Sequence, residues 1–550
     1  MSLLDDVSIV VTPNGYKAGT LYGVIPSSGA ADMDVTRATA GTRVDENGLV
    51  NYAQVVTGSD IVTNGDFSNG STDWTLQNGW SLGTNDVEFN TSLSQYRKLF
   101  QENFLNIGSH YKLTFEIKSI SSGSIANFGY SGSFDTIGVN TQIFTAIYDD
   151  LYLEPTNDAV LTIDNIKVEE VTRNNVPRID YTGGGCPHIL AEPQRTNLVT
   201  YSEDFSNWNN FRSTLTPNET TSPDGTINAY LVEQDYPNTS IHGGLNKSIA
   251  VTNGVEYTYS FFVKKKEYSF IELAEAATSS GNVSTWFDVE NGVVGNIGAG
   301  STAQIEDYGS GWYRCSITFT SAFTGGRNFV LYLSAANGSS TANIVGGAYI
   351  WGAQLEAGSY PTSYIKTSGS TVTRNADQFT RDGIASLINS TEGVLFFEGG
   401  ILSDDGTTQI ISLFESTSSR VSLTFSTTLN RIQFYVAING FTNTVTINAE
   451  GFTKTDINKI ALRYGANNYA LFINGVKEGE NTTQGNTFTV GSLTELTLSN
   501  TLPFYGKVKQ LQVYDTALTD MQLIQLTGTS GTDFYESYSE MAESLTYTIQ

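Results

Sequence analysis

Short runs in which apolar and polar residues alternate recur along the whole chain. In residues 111–119, YKLTFEIKS, Leu113, Phe115 and Ile117 alternate with polar neighbours. Residues 257–265, YTYSFFVKK, and 311–321, GWYRCSITFTS, follow a similar pattern. A period of two is typical of a β-strand with one buried face. The pattern predicts an all-β protein built from short strands and turns.

One phrase occurs twice, more than a hundred residues apart. Residues 61–74 are IVTNGDFSNGSTDW and residues 198–209 are LVTYSEDFSNWN, so both place Val-Thr, then Asp-Phe-Ser-Asn, then Trp in the same order. Strand-like runs follow each copy, and the closing runs are AVLTIDNIKVEEV at 159–171 and GGAYIWGAQLEAG at 346–358. The repeat predicts two related modules that fold as antiparallel sandwiches of the jelly-roll type.

A third set of strand-like runs fills residues 392–527. Within it, NYALFINGVKEG predicts two strands joined at Asn474-Gly475, because Asn-Gly is a strong hairpin turn. At 550 residues the chain is too long for one core, so several domains are expected.

Charge and composition exclude several classes of protein. The net charge of −27 argues against a nucleic-acid groove, which needs clustered Lys and Arg. No apolar run is long enough to span a membrane, and the first residues lack the basic start of a secretory signal. The two cysteines and three histidines have neither disulfide-framework nor metal-site spacing.

Catalytic residues are not predicted anywhere in the chain. Glycan-cleaving sandwiches need two carboxyl groups close together on one face. Glu392, Glu398 and Glu415 are scattered, and no serine- or cysteine-nucleophile motif is present. The sequence therefore predicts a protein that is not an enzyme.

Sugar binding needs exposed aromatic rings beside hydrogen-bonding groups. The candidate carbohydrate-binding residues are Trp74, Trp80, Tyr96, Trp208 and Trp286. The alternative is that each Trp fills a sandwich core, which is the expectation for Trp312 and Trp351 because their neighbours alternate like core strands.

Structural calcium is the one cofactor that the sequence leaves open, because sandwich modules often hold it with carboxylates and carbonyls. The candidate ligands are Asp66 and Asp164 in the first module and Glu203 and Asp204 in the second.

Three stretches resemble known families. NGDFS…W with LTIDNIKVEE resembles the carbohydrate-binding jelly-roll modules attached to many glycanases, and residues 196–366 resemble a module of phage tail and virion proteins. The closing stretch GKVKQLQVYDTALTDMQL resembles laminin-G-like, concanavalin-type sandwiches. The implied fold is all-β and multidomain, with two jelly-roll-like sandwiches and one laminin-G-like sandwich.

The resemblance also implies how the chain is divided. Residues 15–50 and 176–198 look like two halves of one phage cassette, so the first jelly roll is predicted to be an insertion. The predicted parts are an N-terminal attachment cassette (1–56 and 173–197), an inserted jelly roll (57–172), a second jelly roll (198–368), a laminin-G-like sandwich (380–528) and a tail (529–550) with helical spacing over 533–545.

The function implied by the resemblance is that of a phage virion appendage, of the tail- or head-fibre type, which attaches to host glycans. Its expected location is the virion, after synthesis in the host cytoplasm and release by lysis. The expected partners are other virion proteins, through the N-terminal segment, and host surface glycans, with assembly as a homotrimer. Two alternatives stay open: a structural collar or decoration protein with inert sandwiches, and a secreted glycan-active enzyme.

Overall fold

The computed structural model describes residues 6–130, 132–235, 243–276, 283–339, 341 and 344–528. Strands and turns dominate these residues, which confirms the all-β, multidomain fold class. The described chain divides into two compact units: residues 54–173, here called the inserted unit, and the chain on both sides of them. The helix predicted over 533–545 lies outside the described residues.

The chain begins with five strands that precede the inserted unit. They are β1 (Val7–Lys17), β2 (Thr20–Ile25), β3 (Met33–Thr36), β4 (Thr42–Val44) and β5 (Val50–Tyr52). Strands β1, β2 and β3 are antiparallel neighbours, and β4 and β5 form a separate hairpin.

The inserted unit is a sandwich of two antiparallel sheets. Its strands are β6 (Val55–Asp60), β7 (Thr75–Leu76), β8 (Trp80–Leu82), β9 (Val87–Asn90), β10 (Leu99–Gln101), β11 (His110–Ser122), β12 (Ile125–Asn127), β13 (Gly138–Thr145), β14 (Leu151–Pro155) and β15 (Val160–Thr172). One sheet has the order β12-β14-β10-β7, and the other has the order β13-β11-β15-β9-β8 with β6 beside β15. The predicted alternation holds in β11, because Leu113, Phe115 and Ile117 are fully buried between the sheets.

The two ends of the inserted unit lie side by side. Val55 pairs with Thr172 and Val56 pairs with Val171 in antiparallel register. We therefore expect that joining Ala53 to Asn174 through a short glycine linker leaves the rest of the chain folded, since surface loops tolerate insertions and deletions. The measurement is a thermal unfolding profile of the shortened chain. Insoluble protein, or the loss of a cooperative transition, would show that the rest of the chain needs these residues to fold.

The chain then enters a second sandwich. Leading into it are β16 (Ile179–Asp180), β17 (His188–Ala191), β18 (Arg195–Asn197) and a 3-10 helix (Phe205–Asn207). The sandwich consists of β19 (Asn209–Phe211), β20 (Ser213–Thr221), β21 (Ile227–Gln234), β22 (Gly244–Val251), β23 (Glu256–Lys265), β24 (Phe270–Ala276), β25 (Val283–Asp288), β26 (Val293–Ile297), β27 (Ser301–Asp307), β28 (Trp312–Thr320), β29 (Gly325–Ser334) and β30 (Gly347–Ala357). The two sheets have the orders β19-β22-β29-β24-β25-β26 and β20-β21-β30-β23-β28-β27.

The C-terminal sandwich completes the fold. It is preceded by β31 (Val372–Arg374), which pairs with β18 in a separate two-stranded sheet. Its elements are β32 (Gln378–Arg381), β33 (Glu392–Ile401), β34 (Gln409–Ser416), β35 (Ser419–Phe425), β36 (Arg431–Ile438), β37 (Asn443–Glu450), β38 (Asn458–Gly465), β39 (Tyr469–Ile473), β40 (Val476–Asn481), β41 (Glu495–Thr497), β42 (Gly506–Tyr514) and helix α1 (Asp520–Thr527). The predicted Asn474-Gly475 turn joins β39 to β40, and both residues have positive φ. No helix in the described ranges is long and apolar enough to cross a membrane.

The first strands of the chain belong to this C-terminal sandwich. Strand β1 pairs with β42 and β3 pairs with β32, so β1–β3 lie in the middle of its large sheet. Strand β17 also pairs with β42. The predicted N-terminal cassette is therefore not a separate body. Its apolar positions, including Ile9, Val11 and Leu21, fill the same core as the strands after residue 378.

A buried cluster of charged side chains ties these segments together. Arg37 and Arg178 both bind the carboxylate of Asp377, and Arg37 Nη1 lies 2.7 Å from Asp377 Oδ1. Glu192 binds Arg178 at 2.5 Å and Arg374 at 2.8 Å. All five side chains are almost inaccessible to solvent. The five residues come from three distant stretches of sequence, and the charges meet only when these stretches pack together.

Candidate functional site

Aromatic side chains line the outer surface of the four-stranded sheet in the inserted unit. Phe100 of β10 lies directly opposite Tyr152 of β14, and their ring centroids are 5.4 Å apart. The backbone N–H of Phe128, just after β12, donates to the carbonyl of Tyr152 at 2.8 Å. Alternation leaves these rings outside, because their neighbours Leu99, Leu151 and Leu153 are buried in the core.

The outermost rings of this surface are open to solvent. Phe128 is 36% exposed and Tyr148 is 38% exposed, although both are large aromatic side chains. Their rings stack with centroids 6.2 Å apart and an interplanar angle of 25°, and each meets Tyr152 edge to face. The Lys98 ammonium lies 3.2 Å above the centroid of Phe128 and 4.6 Å from that of Tyr152. We call Lys98, Phe100, Phe128, Tyr148 and Tyr152 the aromatic face.

A glycine makes room for the exposed tyrosine. Gly129 has φ of +89°, and a Cβ built there would lie 2.9 Å from a ring carbon of Tyr148. A larger residue at this position would be strained and would push the ring away. The turn after β12 is therefore fitted to the position of Tyr148.

Polar groups surround the aromatic face. The hydroxyl of Tyr152 donates to the carboxylate of Asp150, and this hydrogen bond is the main cause that raises the pKa of Tyr152 to about 12. The other oxygen of Asp150 accepts from the Asn103 N–H at 2.7 Å. At the other end, Glu154 and Arg97 form an ion pair at 3.4 Å. Rings beside carboxylates and amides are the combination that saccharide binding requires.

Two of the predicted binding tryptophans are core residues of the inserted unit. Trp74 is 6% exposed and packs against Phe67, while Trp80 is 8% exposed and packs against Phe89. The indole N–H of Trp80 donates to the carbonyl of Arg97 at 2.8 Å. The prediction of exposed platforms at these positions is wrong, because both rings fill the space between the sheets. Tyr96 is 71% exposed, as a binding residue would have to be.

Trp208 of the second sandwich is also buried. Its ring is 5% exposed and contacts Phe205 and Phe261, and its indole N–H donates to the Tyr201 carbonyl at 2.9 Å. The predicted platform at Trp208 is therefore wrong for the same reason. Trp312 and Trp351 are buried, as predicted.

Trp286 belongs to a second row of aromatic residues. Leu331-Tyr332-Leu333 in β29 repeats Leu151-Tyr152-Leu153 in β14, and each motif lies in the strand before the last strand of its sandwich. Tyr332 is directly opposite Glu272, which is opposite Trp286. Tyr332 and Trp286 are half-buried, and burial raises the pKa of Glu272 to about 7. The second row thus has a tyrosine at the same place in its sandwich as Tyr152 in the first, and a half-buried Trp286 across from it.

The predicted calcium ligands already have protein partners. Asp66 accepts two hydrogen bonds from Ser68, and Asp204 caps the 3-10 helix and accepts from Tyr230. Lys118 lies 3.5 Å from Asp164, and Lys366 lies 2.7 Å from Glu203. Side chains therefore balance the charge of Asp164 and Glu203. Among the described residues, no three carboxylate, His or Cys side chains gather as a metal site would require.

The glycine-rich stretch Gly183-Gly184-Gly185 borders a cleft outside the inserted unit. This cleft has a volume of about 440 Å³, and Tyr181 and Tyr308 also line it. Asp45 also lines this cleft, and its carboxylate accepts hydrogen bonds from the backbone N–H groups of Asn47 and Leu49. All three glycines have positive φ angles, which glycine adopts readily in a turn.

The binding residues predicted from the sequence, four tryptophans and Tyr96, do not include the aromatic face. The alternation in LYLEP at 151–155 already places Tyr152 on the face opposite to two leucines. The contributions of Phe128 and Tyr148 could not be found in this way, because both residues follow or precede strands in turns.

Comparison with solved structures finds matches of low similarity. A carbohydrate-binding module of a Ruminococcus gnavus sialidase, bound to α2,3-sialyllactose, has 18% identity and a TM-score of 0.24 over 26% of this chain and 86% of that one. Domains LG4-5 of mouse laminin α1 have 10% identity and a TM-score of 0.18 over 59% and 93%. A mutant Trypanosoma rangeli sialidase with trans-sialidase activity has 9% identity and a TM-score of 0.23 over 95% and 94%. At these TM-scores they assign neither a ligand nor an activity to this chain.

Comparison with known sequences identifies one part of the chain. No curated protein matches it. Residues 401–523 match the family described as the concanavalin A-like lectin/glucanases superfamily, of the laminin-G type. This region contains most strands of the C-terminal sandwich, from β34 to β42. The C-terminal part of the chain is therefore a laminin-G-like, concanavalin-type domain, as its closing strand predicts.

Proposed function

We propose that this chain is a phage virion appendage protein, of the tail- or head-fibre type, that recognises host surface glycans through the aromatic face. The observation that supports this most strongly is the exposure of stacked rings on an outer sheet surface. These rings add nothing to the sandwich core, and leaving them in water has a cost that ligand contact would offset. The apolar face of a sugar ring can stack on them while its hydroxyls reach Asp150, Glu154 and Arg97.

The virion role is supported by the resemblance of residues 196–366 to modules of phage tail and virion proteins. Repeated sandwiches in one chain suit an appendage that extends from a particle. Single sugar-binding modules bind weakly, and several copies on one particle raise the effective affinity. Assembly as a homotrimer, and contact of residues 1–50 with other virion proteins, are parts of this proposal.

Binding without turnover is also part of the proposal. Cleavage of a glycosidic bond needs a general acid and a second carboxylate on opposite sides of the bond. Beside the aromatic face, Asp150 accepts a hydrogen bond from Tyr152 and Glu154 is paired with Arg97, so each carboxyl group already has a protein partner.

The test is a glycan array with the purified full-length chain and two variants. We expect the wild type to bind a defined set of glycans and Phe128→Ala/Tyr148→Ala to lose that binding while unfolding at nearly the same temperature. Phe441→Ala is the matched control, because Phe441 is 52% exposed in a turn of the C-terminal sandwich. Absence of binding by the wild type would favour an inert spacer. Release of reducing ends from a bound glycan would instead indicate that the chain is a glycan-active enzyme.

A further inference from the structure

Strand β13 is an unprotected edge of the inserted unit. Among the residues that the structure describes, it ends its sheet and pairs with β11 alone, through eight residue pairs. Its apolar side chains are open to water: Val139 is 72% exposed and Ile143 is 37% exposed, and Ile137 and Ile147 beside the strand are 63% and 50% exposed. Such an edge is a template for pairing with another strand.

The usual protections of an edge strand are missing from β13. Residues 136–148 contain no charged residue and no proline. In the second sandwich, edge strand β20 contains Pro217 and Glu219 and edge strand β27 ends in Glu306-Asp307, whereas edge strand β26 also lacks charged residues and proline. Charges and prolines on edge strands are the common devices against association between sheets. Their absence from β13 marks this edge as one that tolerates, or uses, a partner.

The sequence of β13 fits a second copy of itself. Residues 139–143 are Val-Asn-Thr-Gln-Ile. Read outward from Thr141 in either direction, this stretch gives an amide residue and then a β-branched apolar residue. In an antiparallel pair with a two-fold axis at Thr141, each Val139 faces an Ile143 and each Asn140 faces a Gln142. The exposed face would then carry apolar cross-strand pairs and the other face amide pairs, and both kinds stabilise a sheet. No charge of either strand would be brought against another.

We infer that β13 pairs with β13 of a second copy of this chain, which joins two inserted units into one continuous sheet. The partner of this edge is a second copy of the chain, because residues 139–143 are complementary to themselves about Thr141. The contact is small, so it is weak between single chains and is strengthened where many copies lie together. The net charge of −27 opposes association, so added salt should favour the pair.

The test is disulfide crosslinking of the full chain at the expected two-fold axis. Cys186 is exposed and is first changed, as Cys186→Ser, to prevent crosslinks through it. In this background Thr141→Cys should give a covalent dimer on mild oxidation, because the two residues face each other. Ser119→Cys is the control, since Ser119 is exposed on β11 but lies outside the stretch that pairs with β13. Equal crosslinking of the two variants, or none, would overturn the inference.

A second measurement does not depend on a cysteine. Light scattering of the unmodified chain, at high protein concentration in added salt, should give twice the mass of the assembly present in dilute solution, whether that assembly is a single chain of 59.6 kDa or the proposed homotrimer. Val139→Lys/Ile143→Lys places charges on exposed positions, so it should halve this mass without lowering the unfolding temperature. An unchanged mass in this variant would show that copies associate elsewhere. Glycan binding by separate chains does not require the pair, so the outcome is independent of the proposed function.

Discussion

Asp377→Ala should lower the free energy of unfolding of the chain outside the inserted unit by about 3–5 kcal/mol, because it leaves Arg37 and Arg178 buried without their shared carboxylate. Both guanidinium groups are inaccessible to solvent, so water cannot replace the lost partner. The measurement is urea unfolding at neutral pH. The control is Asp382→Ala, an exposed carboxylate five residues away. Equal stability of the two variants would show that the charged cluster does not hold the segments together.

The same cluster predicts the response of the protein to acid. Burial alone would raise the pKa of Asp377 and of Glu192. The neighbouring guanidinium groups outweigh this effect and hold both pKa values below the ordinary carboxyl range. A carboxyl group with a lowered pKa in the folded state stabilises the fold above its unfolded pKa of about 4, and this contribution is lost as the pH falls. The stability difference between wild type and Asp377→Ala should therefore shrink when urea unfolding is repeated at about pH 3. A constant difference would contradict the assignment.

Trp80→Ala and Trp208→Ala should each lower the free energy of unfolding by about 3–5 kcal/mol. Both rings are more than nine-tenths buried, and each packs against phenylalanine and donates a hydrogen bond to a backbone carbonyl. Truncation leaves a cavity in one sandwich core and an unpaired carbonyl. The two changes lie in different units, so they should shift different transitions in a thermal scan.

Tyr96→Ala is the control for these tryptophan variants. Its side chain is 71% exposed, so we expect a change in stability within about 0.5 kcal/mol. The contrary outcome is that Trp80→Ala or Trp208→Ala is as stable as Tyr96→Ala and loses glycan binding. That result would contradict the conclusion that these rings are core residues.

The strands of the two jelly rolls were predictable because each carries its own pattern. Alternation in residues 111–119 identifies a half-buried strand without knowledge of its partners. The position of β1–β3 could not be predicted in this way. Their apolar residues predict that these strands are buried, but alternation does not specify which strand they pair with. The partner strand β42 is about 500 residues away in sequence.

The candidate site was less predictable than the fold. Exposure of an aromatic residue depends on which face of the sheet it occupies and on what covers that face. Trp80 and Trp208 have polar neighbours in sequence, yet their rings turn into the core. The aromatic face collects Lys98, Phe100, Phe128, Tyr148 and Tyr152 from three strands and their flanking turns, and only the pairing of β10, β12 and β14 brings these residues together.

The central claim is that the aromatic face binds saccharide, and one titration tests it most directly. The dissociation constant of the glycan with the strongest array response is measured by calorimetry for wild type, Tyr148→Ala and the control Phe441→Ala. We predict that Tyr148→Ala weakens binding by at least about tenfold, the loss of roughly 1.4 kcal/mol expected for a central aromatic contact, while Phe441→Ala binds like the wild type. Equal dissociation constants for all three proteins would contradict the claim and assign the binding to another surface.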